Sequence, residues 1–262
     1  MTPSPPIRGA RAGVEAPAGA ARLAALIRDH QPVVALTGAG ISVPSGIPDF
    51  RTPGTWLWAN VDPMEVAHIS VWRRDPARFW DFYGQRFAAL DGKQPNGAHL
   101  ALAELERRGL LSGVITQNID GLHAAAGTRA VEVHGSIRTA SCLSCGMRVS
   151  LAETRSRMAL DEEGVPRCDC GDPFKPDVVL FGELLPVDAM ERAQALADGA
   201  GLMLVVGSSL EVYPVAGLPA DTLSRGGRLA IVTRSATPYD REAAVKLSGD
   251  VVEELEAVLA AV

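Results

Sequence analysis

Apolar residues along this chain follow two patterns: short unbroken runs, and longer stretches in which they recur every three or four positions. The runs at 33–36 ("VVAL"), 110–116 ("LLSGVIT"), 130–135 ("AVEVHG"), 177–183 ("DVVLFGE"), 201–209 ("GLMLVVGSS") and 228–233 ("RLAIVT") each predict a strand. Helical spacing at 20–30, 76–90, 97–109, 187–199, 219–227 and 250–262 predicts helices between and after them. Strands that are apolar throughout and alternate with helices predict an α/β fold with a doubly wound parallel sheet. A sheet covered by helices on both sides has no polar face to encode.

Polar residues cluster where these strands end. Gly38-Ala39-Gly40, Gln117-Asn118-Ile119-Asp120, His134-Gly135 and Gly207-Ser208-Ser209 each follow an apolar run directly. In open α/β sheets ligands bind at that carboxyl edge, so four such clusters predict a functional crevice. The first cluster opens like a dinucleotide-binding loop, yet the third glycine of that fingerprint would fall at Val43. No Gly-Lys-Ser/Thr of a P-loop follows either. Two prolines come instead, and then Asp49, Phe50 and Arg51 in a row.

The length of 262 residues, 47% hydrophobic and 21% charged, suffices for one large core plus a small module. A net charge of −6 argues against nucleic acid and against anionic membrane surfaces as partners. No apolar run approaches the ~20 residues of a membrane span. Residues 1–20, rich in Pro, Ala and Gly, carry no signal-peptide core and read as a flexible tail. A cytoplasmic, monomeric protein is the expectation.

The four cysteines, Cys142, Cys145, Cys168 and Cys170, form a Cys-x-x-Cys and a Cys-x-Cys pair with 22 residues between them. Two such turns can supply the four thiolates of a tetrahedral zinc site, structural because no position is left for water. A redox dithiol or separate buried thiols are the alternatives. His134 ends an apolar run at the same edge as the glycine loop, which suits a general base and equally a hydrogen-bonded structural histidine. His30, His68, His99 and His123 lack such company, although His123 closely follows the Gln117–Asp120 cluster.

Taken together, "GAGISVPSGIPDFR", "QNIDGLH", "VHGS", the four cysteines, "KPDVVLFGE" and "GSSLEVYP" resemble the sirtuins, NAD-dependent protein lysine deacylases, of prokaryotic type. The resemblance runs from about residue 20 to the C-terminus. It implies a Rossmann-like domain (21–137 and 175–262) and an inserted zinc-binding module (138–174) joined by helices from about 50–100. NAD would be a co-substrate whose nicotinamide is the leaving group, and one Zn²⁺ would be structural.

The resemblance also implies roles. Backbone amides from Gly38 to Gly40 would cradle the pyrophosphate; Asp49, Phe50 and Arg51 would close over the nicotinamide ribose. Gln117, Asn118, Ile119 and Asp120 would position that ribose and the carboxamide, with Asn118 and His134 as the catalytic pair. Gly207, Ser208, Ser209, Thr233 and Val251 would meet the adenosine side. An acyl-lysine protein substrate would lie as an extended strand along Val178, Phe181, Gly182, Glu183 and Val212. In the implied reaction the acyl oxygen attacks C1′ as nicotinamide leaves, and His134 activates a ribose hydroxyl against the resulting imidate. Hydrolysis then yields free lysine and O-acyl-ADP-ribose.

Two features bear on that reading. Thr233 stands where the family commonly has asparagine. Tyr83 and Arg86 look like the pair that, in one sirtuin class, receives the carboxylate of succinyl- or malonyl-lysine; an amphipathic packing helix is the alternative. NAD glycohydrolysis or ADP-ribosyl transfer in the same cleft, and a non-catalytic NAD sensor, are the rival functions.

Overall fold

The computed structural model describes residues 17–48, 63–90 and 92–262, without the side chains of residues 63, 64, 85, 86, 88 and 89. Six parallel strands form the main sheet: β1 (Val33–Thr37), β2 (Gly113–Thr116), β3 (Ala130–Glu132), β7 (Leu202–Val206), β8 (Arg228–Val232) and β9 (Val245–Leu247). Their order is β3-β2-β1-β7-β8-β9. The remaining strands, β4 (Gly135–Cys142), β5 (Arg148–Ser150) and β6 (Phe174–Val178), make a separate antiparallel sheet in the order β5-β4-β6.

The helices are α1 (Ala18–Asp29), α2 (Pro63–Val66), α3 (Ile69–Arg74), α4 (Pro76–Leu90), α5 (Gly97–Arg107), α6 (Leu122–Ala125), α7 (Leu151–Leu160), α8 (Val187–Gly199), α9 (Leu218–Ser224) and α10 (Val251–Ala261). Side chains alternate between the two faces of a strand, and the core is divided accordingly. Val33, Ala35, Leu202, Leu204 and Val232 face α1, α5 and α10, whereas Val34, Leu36, Met203, Val205 and Ile231 face α8 and α9. Both sets are buried, which is why β1 and β7 are apolar at nearly every position.

The strands end at one level. Thr37 is in register with Thr116 on one side and Val206 on the other, and Val206 with Val232. Strand order reverses between β1 and β7, and a crevice opens at such a switch point.

A second cluster joins α2–α4 to the small sheet through Ile137, Val165, Val178 and Leu180. The indole N–H groups of Trp72 and Trp80 both donate to the carbonyl of Phe174, at 3.1 and 3.0 Å. That single buried carbonyl ties α3 and α4 to the cysteine-bearing sheet.

Two expectations about the fold are corrected by the structure. The run 177–183 is not a strand of the main sheet. β6 ends at Val178, paired antiparallel with β4, and the run is apolar because Val178 and Leu180 pack against α2–α4. Helix α1 begins at Ala18, inside the stretch read as tail. The small sheet runs from Gly135 to Val178 and so contains the 138–174 stretch expected as the zinc-binding module. Among the described residues no helix is long and apolar enough to cross a membrane.

Candidate functional site

At the switch point the loops after β1 and β7 pack backbone to backbone. Gly38 N–H donates to Val206 O (3.0 Å) and Gly40 N–H to Gly207 O (2.8 Å). A Cβ on Gly40 would lie 2.8 Å from the Gly207 Cα and carbonyl oxygen, so a side chain there would drive the loops apart. The amides of Gly38 and Gly40 are therefore engaged, contrary to the expectation that they are donors for a ligand. Those of Ala39, Ser208 and Ser209 have no partner among the described residues. Beyond Ser209, the buried Leu210 adopts φ 55°, a costly left-handed conformation for leucine that turns the chain sharply here.

The loop after β2 is held by side chains. Asn118 Nδ2 donates to Gly38 O and to Ser42 Oγ, each at 3.1 Å. Ser42 Oγ–H donates to Asp120 Oδ2 at 2.7 Å, and Asp120 Oδ1 accepts from Leu122 N at 2.9 Å. Gln117 Nε2 reaches Ser208 Oγ at 2.8 Å, and Ile119 O accepts from Ile137 N. Ser42 is thus the hub between Asn118 and Asp120, and the sequence reading missed it. Its signal was a small polar residue directly after the glycine loop.

His134 is half-buried beside these residues. Its Nδ1 lies 2.9 Å from Gln117 O; a carbonyl only accepts, so Nδ1 carries the proton and Nε2 presents its lone pair. Nε2 has no partner among the described residues. Burial pushes the imidazole pKa below its ordinary value, against the opposing pull of the Gln117 carbonyl. The group is a neutral base with a fixed tautomer, which is what general-base chemistry requires.

The four cysteine sulfurs all lie within 4.8 Å of one another. Cys142 and Cys170 Sγ are 3.5 Å apart, Cys145 and Cys168 Sγ 3.4 Å. These separations are far longer than the ~2.05 Å of a disulfide. They are close to the roughly 3.8 Å edge of a tetrahedron with 2.3 Å metal–sulfur bonds, so the donor set fits a structural zinc ion.

Phe181, Gly182 and Val212 are exposed, Phe181 to 49% and Val212 to 48%. Phe181 exchanges hydrogen bonds with the α2–α3 connection: its N–H donates to Ala67 O, and its carbonyl accepts from Ile69 N. Glu183 folds back to pair with the buried Lys175 at 2.9 Å and to accept from Leu180 N. Lys175 was not singled out from sequence, although a lysine opening an apolar segment was the available signal.

Other expected residues fall as follows. Thr233 is buried at the end of β8, its N–H donating to Leu247 O. Val251 opens α10 with its side chain in the core. Val178 is likewise core. Tyr83 lies in the aromatic cluster, its ring stacked 4.6 Å from Phe79. Asp49, Phe50 and Arg51, and the Arg86 side chain, lie outside the described residues.

Comparison with known proteins resolves what this constellation belongs to. The model of the Sir2 family matches residues 38–214, from the first glycine of the loop to just past Val212. The chain belongs to the Sir2 family. Among its sirtuin relatives, an NAD-dependent protein deacetylase of Sulfolobus acidocaldarius is 45% identical, covering 86% of this chain and 87% of its own. An NAD-dependent protein deacylase of Thermococcus sibiricus is 41% identical, covering 87% and 90%. A solved Sir2 structure with a p53 peptide and NAD⁺ superposes with a TM-score of 0.83 at 40% identity, covering 91% of this chain and 96% of that one. A Sir2 variant with deacetylated p53 peptide and 3′-O-acetyl-ADP-ribose gives 0.86 at 39% identity over the same shares.

Proposed function

We propose that this sirtuin deacylates protein lysines with His134 Nε2 as the general base, in a crevice whose NAD-binding and peptide-binding walls come from different lobes. The chain is an NAD-dependent protein deacetylase or deacylase, with NAD as co-substrate. The observation that carries the assignment of the base is the 2.9 Å bond from His134 Nδ1 to Gln117 O, which leaves the lone pair on Nε2.

The pyrophosphate rests on the unpaired amides of Ala39, Ser208 and Ser209, while Gly38, Gly40 and Gly207 supply the close approach of the two loops. Asn118 and Asp120, locked together through Ser42, hold the nicotinamide ribose and carboxamide. Thr233 and the start of α10 at Val251 face the adenosine end. Asp49, Phe50 and Arg51, next in sequence after the same loop, are the residues assigned to the nicotinamide ribose.

An acyl-lysine peptide lies between 181–183 and Val212, its main chain adding to the exposed segments as a strand. Phe181 and Val212 give that strand apolar flanks, and Glu183 positions its wall through Lys175 rather than by touching the lysine. The acyl oxygen displaces nicotinamide at C1′. His134 then takes a proton from a ribose hydroxyl as that oxygen attacks the acyl carbon, and water completes release of lysine and O-acyl-ADP-ribose. The cysteine-bearing module stays outside the chemistry and braces the peptide wall together with α2–α4.

The test is nicotinamide release with and without an acetyl-lysine peptide. Deacylation requires the peptide. Release at the same rate without it, yielding free ADP-ribose, would make the protein a glycohydrolase.

A further inference from the structure

Two histidines that the proposed chemistry does not use lie beneath the leaving-group loop. His99 and His123 are 0% and 3% exposed, and their rings meet edge to face with centroids 5.0 Å apart. His123 Nε2 is 2.9 Å from Thr37 Oγ1, Thr37 Oγ1 is 2.8 Å from Thr116 Oγ1, and Asn118 N–H donates to Thr116 Oγ1 at 3.1 Å. A continuous chain of hydrogen bonds thus runs from a buried imidazole to the backbone of Asn118. Thr37 and Thr116 are the last residues of β1 and β2, so the chain crosses directly under both NAD loops.

The sense of this chain follows from the Thr37 hydroxyl, and the atoms left without partners agree with it. His99 Nδ1 accepts from Asn96 N–H in the capping box of α5, at 3.4 Å, so its proton sits on Nε2. His99 Nε2 and His123 Nδ1 are both buried and unpartnered, and so is Thr128 Oγ1, whose residue donates its amide to His123 O. Thr37 has a single hydroxyl proton and donates it to Thr116, so its contact with His123 Nε2 is one in which the imidazole N–H donates. If His123 Nε2–H donates to Thr37 and Thr37 to Thr116, the leftovers are one donor on His99 and one acceptor on His123. That complementary pair suits a single internal water, with Thr128 as its third partner. Burial also keeps His123 neutral, its pKa lowered to about 3 mainly by desolvation, with the neighbouring His99 adding to it.

We infer that His123 is a positioning residue. In the Nε2–H tautomer, bridged to His99 by a buried water, it orients Thr37 and Thr116 and thereby fixes the backbone of Asn118 at the nicotinamide end of the site. This rests on the reading of Asn118 as the residue that holds the leaving group.

The experiment pairs kinetics with a tautomer measurement. Thr116→Val is nearly isosteric and removes the link to Asn118; it lowers peptide-dependent nicotinamide exchange by roughly tenfold or more while KM for the peptide stays within a few-fold. His123→Leu acts likewise, and His123→Gln, whose amide N–H reaches the place of the imidazole Nε2, restores most of the rate. The double variant His123→Leu/Thr116→Val is no slower than the worse single one, because both cut the same chain. Nitrogen-15 NMR of the histidine rings shows His123 neutral and protonated on Nε2. Unchanged exchange in folded Thr116→Val, additive effects in the double variant, or an Nδ1–H tautomer overturns the inference. The tautomer measurement needs no turnover, so it decides even where wild-type protein fails to deacylate, a failure that would count against the functional reading instead.

Discussion

The Nδ1 of His134 lies 2.9 Å from the carbonyl oxygen of Gln117, and this bond sets the protonation state of the site. A base works only when neutral, and burial holds the pKa of His134 below its ordinary value near 6.5. Deacylation is therefore at plateau above about pH 6.5 and falls as pH drops through the lowered pKa. Stability shares this sign: the folded state favours the neutral ring, so that contribution is complete above the ordinary pKa and is lost as pH falls. His134→Ala keeps NAD affinity and lowers turnover by roughly 10²–10⁴. Turnover that instead rises toward acid pH, or survives the substitution, removes His134 as the base.

The Lys175–Glu183 pair gives a second prediction. The Lys175 ammonium is buried and donates to Pro176 O (3.1 Å), Val178 O (2.8 Å) and Glu183 Oε2 (2.9 Å). Lys175→Met leaves two carbonyls and a carboxylate short of a donor, costing roughly 1–3 kcal/mol by denaturant titration. It also loosens the 181–183 wall, so KM for the peptide rises while NAD affinity is kept. A parallel loss of NAD affinity would place the effect elsewhere.

The cysteine cluster gives a third. One zinc per chain binds, with an apparent free energy of roughly 10–16 kcal/mol, as in zinc-finger peptides. Cys142→Ala loses the metal and lowers activity although no cysteine reaches the NAD loops. Metal-free wild-type protein of full activity and unchanged melting would contradict a structural zinc site.

The expected acid-binding role of Tyr83 and Arg86 is tested on α4. Tyr83 is 9% exposed and stacked in the aromatic cluster, as a packing residue would be. An acid-binding role for Tyr83 and Arg86 requires that Arg86→Met with Tyr83→Phe depress desuccinylation about ten- to a hundredfold and leave deacetylation within a few-fold. Equal loss of both activities assigns the helix to scaffold.

Much of this architecture was legible because both faces of β1 and β7 are buried, so the strands stand out as unbroken apolar runs ending in Gly38 and Gly207. The run at 177–183 misled for the same reason: burial against α2–α4 writes the same pattern as burial in a sheet. Spacing alone identified the four cysteines, since neighbouring turns suffice to gather them. The positions of Ser42 and Lys175 carried a weak signal, but their roles and that of His123 were not legible. Ser42 and His123 depend on Asp120 and Thr37, far away in the chain, and Lys175 on Glu183 across the turn after β6, which no periodicity encodes.

The central claim is that nicotinamide release is coupled to acyl transfer. Mass spectrometry of the products from NAD and an acetyl-lysine peptide tests it most directly. Nicotinamide, free-lysine peptide and O-acetyl-ADP-ribose form in equal amounts, and none of them forms when the peptide is omitted. Free ADP-ribose without deacetylated peptide, or ADP-ribose attached to the peptide, would contradict it.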